Sequence, residues 1–362
     1  MSEWFESLLR PELASMRSYV PVAAGRAIRL DANESPHALP REARERLAAE
    51  LSAIELNRYP DVRATRLRER IAERAGAHPD EIVIGCGSDE VIAMILTALA
   101  RPREGVSRAS VVFPEPSFVM FRVSAMAQGW EPVAVALDDA WDLDRSAMSA
   151  ALAKHAPNVV FLPSPNNPTG NVFSRDRVES VVREAPRSLV VLDEAYGPFT
   201  RVSYRDLRVS NPHVAQLQTL SKLGLAAARV GWAVLPKPIA AAVDKVRQPY
   251  NLNALSQRAA ELCLTELAPH FERAVADIVE ERSRLSSMLS SIDGVTVTPS
   301  EANFVWVSVP VDAGALHASL LAKGIVVRSF HASGKRLARQ LRISVGTREE
   351  NDALLAAMRA SL

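Results

Sequence analysis

Between residues 81 and 235 short apolar runs alternate with stretches of helical spacing, and this alternation restricts the fold more than any other feature of the chain. The runs are EIVIG, ASVVF, PVAVAL, NVVFL, SLVVLD, AQLQTL and GWAVL. Several lack an alternating polar residue, as strands do when helices cover both faces of their sheet. Strand–helix alternation predicts an α/β fold with a mainly parallel seven-stranded sheet sandwiched by helices. The long helical pattern at 238–291 is broken near Pro249 and Pro269. The tail then returns to strands (VTVTP, NFVWVSV, GIVVRS, QLRISVG) with helices at 313–323 and 347–361, a smaller α+β unit. We expect residues 48–245 to form the large domain, and 1–47 with 246–362 to form the small domain from both chain ends.

Three of the runs end in polar clusters. VVFLPSPNNPTG (159–170) delivers Asn167, SLVVLDEAY (188–196) delivers Asp193 and Tyr196, and VAQLQTLSK (214–222) delivers Ser221 and Lys222. EIVIGCGSDEVIAMIL (81–96) adds a glycine turn between a strand and a helix, so the N–H groups of Ser88 and Asp89 would face an anion at a helix start. Each feature alone has an ordinary reading: a surface lysine, a helix-capping aspartate, a turn. Together they are the minimum set for pyridoxal phosphate: a lysine to form an imine, a carboxylate and a phosphate cup. Imine formation needs a neutral amine, so Lys222 must be desolvated or lie near positive charge. A buried Asp193 needs a cation, and a protonated pyridine nitrogen is one. Arg229 is placed to pair with the phosphate in bidentate fashion. Phe118, after a strand, reads as core or as a ring stacking on the pyridine.

Other chemistries find little support. Lys+Arg is 43 and Asp+Glu is 42, which argues against nucleic acid or an acidic membrane as partner. The arginine-rich segment 61–76 reads as a solvated helix face with intrahelical pairs. The two cysteines fit a reducing cytoplasm and form no metal or disulfide spacing, and the scattered histidines suggest no metal site. The N-terminus does not read as a signal peptide, and no apolar run is long enough for a membrane span.

The motifs resemble, nearly end to end, fold-type I pyridoxal-phosphate aminotransferases and, within them, the histidinol-phosphate aminotransferase family. DANESP (31–36), RYPD (58–61), GSDE (87–90), PSFVMF (116–121), NNPTG (166–170), DEAY (193–196), TLSK (219–222), RVGW (229–232), QPYNLNALSQ (248–257), EANFVWV (301–307), IVVRS (325–329) and LRISVGT (341–347) stand in the family's order. The resemblance implies that Lys222 holds the cofactor and that Asp193 pairs with the ring nitrogen. It implies that Asn167 and Tyr196 contact the ring oxygen, that Phe118 stacks on the ring, and that Ser88, Asp89, Ser221 and Arg229 hold the phosphate. Tyr59 would reach the phosphate of a neighbouring subunit, making a homodimer with shared active sites. Arg342 would bind the substrate α-carboxylate, with Tyr19, Asn33 and Arg328 lining the substrate side-chain site. The implied reaction passes the amino group of histidinol phosphate to 2-oxoglutarate in histidine biosynthesis. An aromatic amino-acid aminotransferase of the same fold is the alternative, and an amino-acid-phosphate decarboxylase a further one. Phe118 stands where the family often has tyrosine, and PHALP after DANES lacks the usual glycine turn.

Overall fold

The computed structural model describes Trp4, residues 7–16, Gly25 and residues 27–362. The expected sheet is present. Its strands are β2 (Ile82–Cys86), β3 (Ser110–Glu115), β4 (Glu131–Ala136), β5 (Val159–Pro163), β6 (Leu189–Asp193), β7 (Val214–Thr219) and β8 (Val230–Val234), in the spatial order β2-β8-β7-β6-β5-β3-β4. Only β8 runs against the others. Residues 159–163 and 189–193 are buried throughout, which explains their unbroken apolar pattern. One face packs on the helices Ser88–Ala98 and Lys237–Val246, with Val91, Ile95 and Val243 fully buried. The other packs on Arg145–His155 and Arg175–Glu184.

A second sheet joins the chain ends. In it β1 (Ile28–Leu30) pairs in parallel with β11 (Ile325–Ser329), and β12 (Gln340–Ser344), β10 (Phe304–Ser308) and β9 (Thr296–Thr298) follow antiparallel, in the order β1-β11-β12-β10-β9. Its core contains Leu30, Leu285, Leu289, Val305, Leu316, Ile343 and Leu354. Leu252, Ala260, Leu262 and Phe271 instead pack with Ile82, Ile84 and Val234 of the larger sheet. The larger layer thus extends past residue 245, the boundary expected above. The junction falls within the helix Ala268–Ser290, whose late residues Leu285 and Leu289 join the smaller core.

The arginine-rich helix begins at Thr65 rather than Asp61, because the Asp61 carboxylate accepts from Arg63 N and Thr65 N. Its face is not wholly solvated. Arg68 is buried, donating to Asp244 at 2.6 Å and to the carbonyls of Arg63 and Ile82. Full pairing offsets the cost of burying its charge. Among the described residues no helix is long and apolar enough to cross a membrane.

Candidate active site

Parallel strands end on one side, and ligands in such sheets sit at the carboxyl ends. Pro163 of β5 lies opposite Asp193 of β6, which lies opposite Leu217 of β7. Asn167, Asp193 and Lys222 therefore emerge at the same edge. The reversed β8 starts at this edge, just after Arg229, and β2 ends there, just before Gly87 and Ser88. A Cβ on Gly231 would lie 2.3 Å from Ser88 N and 2.5 Å from Gly87 C, so only glycine lets β8 approach the turn. Gly87 has φ +83°, which also favours glycine. The helix Ser88–Ala98 has no side-chain cap, and Arg229 approaches both Ser221 Oγ and Asp89 Oδ2 at 3.5 Å.

Asp193 is 5% exposed, and its carboxylate accepts from Ala195 N at 3.0 Å. Among the described residues no cation forms an ion pair with it. Burial, with Asp89 and Glu194 nearby, pushes its pKa up to about 7. Lys222 is half-buried, its Nζ 5.9 Å from the centre of the Tyr196 ring. Burial, then the Arg342 guanidinium, pull its pKa down to about 8, a shift toward the neutral amine that imine chemistry needs.

The smaller sheet closes the site. Arg342 donates to Asn167 Oδ1 at 2.6 Å and to Asp31 O, and its guanidinium lies 5.5 Å from the Phe304 ring. Arg328 stands directly opposite Arg342 across β11 and β12, so both point to one face. Arg328 is exposed, and among the described residues nothing pairs with it. Phe304 packs edge-on to Tyr196 at 5.0 Å. Phe118 is half-buried against the core, edge-on to Phe121.

Not every expected residue lines the opening. Asn33 is 1% exposed and donates through Nδ2 to the Tyr196 hydroxyl at 2.8 Å. It reaches the site through Tyr196, because Ser344 and Asn303 hold it in the layer behind that ring. Tyr59 is 81% exposed and stacks on Tyr250 at 4.4 Å. Tyr19 lies outside the described residues. Sequence reasoning missed Gly231 as a cradle residue and Glu194 as a buried brace, which accepts from Tyr204 N, Gln216 and Gln218. The alternate glutamines of AQLQTL were the signal that could have revealed the second.

The model of the family described as aminotransferase class I and II matches residues 26–358. The chain belongs to that family. Its members depend on pyridoxal phosphate. Among curated relatives, the chain is 42% identical to a histidinol-phosphate aminotransferase of Chromobacterium violaceum, over 98% of this chain and 97% of that protein. It is 40% identical to one of Methylibium petroleiphilum, over 98% of this chain and 94% of that protein. Among solved structures, histidinol-phosphate aminotransferase from Sinorhizobium meliloti in complex with pyridoxal-5'-phosphate superposes with a TM-score of 0.86 at 26% identity, over 98% of this chain and 97% of that chain. The residues present fit that cofactor: the half-buried amine of Lys222, the buried carboxylate of Asp193 with no ion pair among the described residues, and an uncapped helix start beside Gly87 and Gly231. Among the described residues no group of three or more His, Cys, Asp or Glu is placed to hold a metal ion.

Proposed function

We propose that this aminotransferase passes the amino group of L-histidinol phosphate to 2-oxoglutarate, a step of histidine biosynthesis. The names of the near full-length relatives support this reading. The observation that carries it is the pair Arg328 and Arg342, side by side on one face. Like charges opposed across strands are unfavourable unless an anion joins them. Glutamate brings two carboxylates and histidinol phosphate brings a phosphate, so Arg342 suits the α-carboxylate and Arg328 the distal anion.

In this reading Asp193 holds the protonated ring nitrogen, and Asn167 and Tyr196 hold the ring oxygen. Arg342 turns the carbonyl oxygen of Asn167 toward itself, which leaves Nδ2 for the pocket. Phe118 lies against the ring. Ser88, Asp89, Ser221 and Arg229 hold the phosphate, and Tyr19 belongs to the substrate side. When bound, the cofactor supplies an electron sink for the pair released at the substrate Cα. Lys222 Nζ, freed by the incoming amine, would take the Cα proton and deliver it two atoms along, at the cofactor carbon C4′.

The active form in this proposal is a homodimer. Tyr59, with Leu56 80% exposed beside it in sequence, would reach into the partner's phosphate site. The setting is the cytoplasm, consistent with two free thiols. A panel of amino donors tests the assignment: histidinol phosphate, Phe, Tyr, Trp, Asp and phosphothreonine, each with 2-oxoglutarate. Highest kcat/KM for histidinol phosphate is expected. Faster turnover of Phe would support the aromatic reading, and release of CO₂ without 2-oxoglutarate would support a decarboxylase.

A further inference from the structure

We infer that Asn33 is a positioning residue that makes Tyr196 a hydrogen-bond donor into the pocket. The inference rests on the reading that Tyr196 meets the ring oxygen. Asn33 has φ +54°, a conformation asparagine tolerates, and it is held on every side. Its N–H donates to Ser344 Oγ at 2.8 Å, and its carbonyl accepts from Asn303 Nδ2 at 3.0 Å. The Ser344 hydroxyl has one proton to give, and it lies 3.3 Å from Asn33 Oδ1.

These contacts decide which way the Asn33 amide faces. With Oδ1 taken by the Ser344 proton, Nδ2 faces the Tyr196 oxygen at 2.8 Å. A flipped amide would place two donors on Ser344 Oγ and leave the hydroxyl proton of a 3% exposed serine without an acceptor. An amide nitrogen only donates. The Tyr196 oxygen is therefore the acceptor on this side, and its own proton points elsewhere. Among the described residues nothing accepts that proton. Phe304 packs edge-on to the ring at 5.0 Å, and Lys222 Nζ lies 5.9 Å from its centre. The proton is left for an acceptor in the pocket, and the ring oxygen is one. Asn33 thus acts through Tyr196 and not by touching substrate.

A donor on the ring oxygen favours its ionised form, and with it loss of the proton on the nitrogen that joins Lys222 to the cofactor. It therefore lowers the pH midpoint of the visible band of the loaded enzyme. The test compares this midpoint in wild type, Tyr196→Phe, Asn33→Asp and the double variant. Aspartate has the same shape, tolerates positive φ and offers only acceptors, so Tyr196 would turn its proton to it. One charge-assisted hydrogen bond is equivalent to about one to two pH units. Tyr196→Phe and Asn33→Asp should each raise the midpoint by about that amount, and the double variant should go no higher than the larger single change. If Asn33→Asp does not fold, Ser344→Ala carries the test. It frees the amide to flip and should raise the midpoint only when Tyr196 is present. An unchanged midpoint in Asn33→Asp beside a clear rise in Tyr196→Phe overturns this inference alone. So does an Asn33→Asp rise that persists in the phenylalanine background, since it would come from charge. An unchanged midpoint in Tyr196→Phe removes the ring-oxygen reading and this inference together.

Discussion

Asp193→Asn should stabilise the cofactor-free protein and weaken its grip on the cofactor, and the opposed signs make the substitution informative. The wild-type carboxyl is buried with one backbone donor, and its pKa is raised from 3.8 to about 7. The direction sets the sign. A raised acid binds its proton more tightly in the folded state, so the folded form loses stability as pH rises through the window from about 4 to 7. Each pH unit of that window costs the folded form about 1.36 kcal/mol, so the full penalty above pH 7 is about 4 kcal/mol. An asparagine of equal shape never ionises and escapes it. Urea unfolding of both apoproteins at equal concentration is the assay. Near pH 8.5 the variant should be more stable by up to about 4 kcal/mol, and near pH 5.5 its lead should shrink by about half. Adding pyridoxal phosphate should reverse the order, because only the carboxylate offers charge to a protonated ring nitrogen. A wild-type apoprotein that matches or exceeds the variant near pH 8.5 would refute the reasoning, since Asp193 would then have a compensating cation of its own.

Two further predictions concern the cradle and the assembly. In Gly231→Ala the new Cβ meets backbone atoms of Gly87 and Ser88, which cannot rotate away. The phosphate turn must shift, and the Kd for pyridoxal phosphate, read by fluorescence titration, should rise by about tenfold or more, the equivalent of losing one charge-assisted hydrogen bond. Mixing Lys222→Ala chains with Tyr59→Ala chains should restore activity through hybrid dimers with one intact site. Full activity in a monomer by sedimentation would exclude the shared site.

The strand ends were legible because burial on both faces leaves largely apolar runs, and the polar cluster that follows each run marks the sheet's edge. Lys222, Asp193 and Asn167 stand out for that reason. What stayed hidden depends on partners far away in the chain. Asn33 is held by Ser344, 311 residues on, so no local pattern tells that its amide faces Tyr196 rather than substrate. Arg68 looks like its solvated neighbours, but its partner Asp244 is 176 residues away. The need for glycine at 231 exists only once β8 lies beside the turn at Gly87. The expected boundary at 245 followed a change in pattern, whereas the helices after it simply continue the apolar cover of the larger sheet.

The direct opposition of Arg328 and Arg342 also needed the strand register, and it bears on the substrate. Arg342 is committed to Asn167 Oδ1 and Asp31 O, so it sits in one place whichever substrate arrives. Arg328 is exposed, with no partner among the described residues, and it is the group left to distinguish one distal anion from another. A charge-assisted hydrogen bond contributes about 1.5–3 kcal/mol, roughly a ten- to hundredfold effect. Arg328→Ala should lower kcat/KM for histidinol phosphate by about that factor while sparing Phe, which has no distal charge. The second half-reaction supplies an internal control, because 2-oxoglutarate brings its own distal carboxylate and should suffer as histidinol phosphate does. Arg328→Lys keeps the charge and loses the planar fork, so it should recover part of the loss for both. Equal losses for Phe and histidinol phosphate would mean that Arg328 supports the sheet and not the substrate. The strand pairing argues against that outcome, because removing one of two opposed guanidinium groups should relieve repulsion within the sheet rather than weaken it.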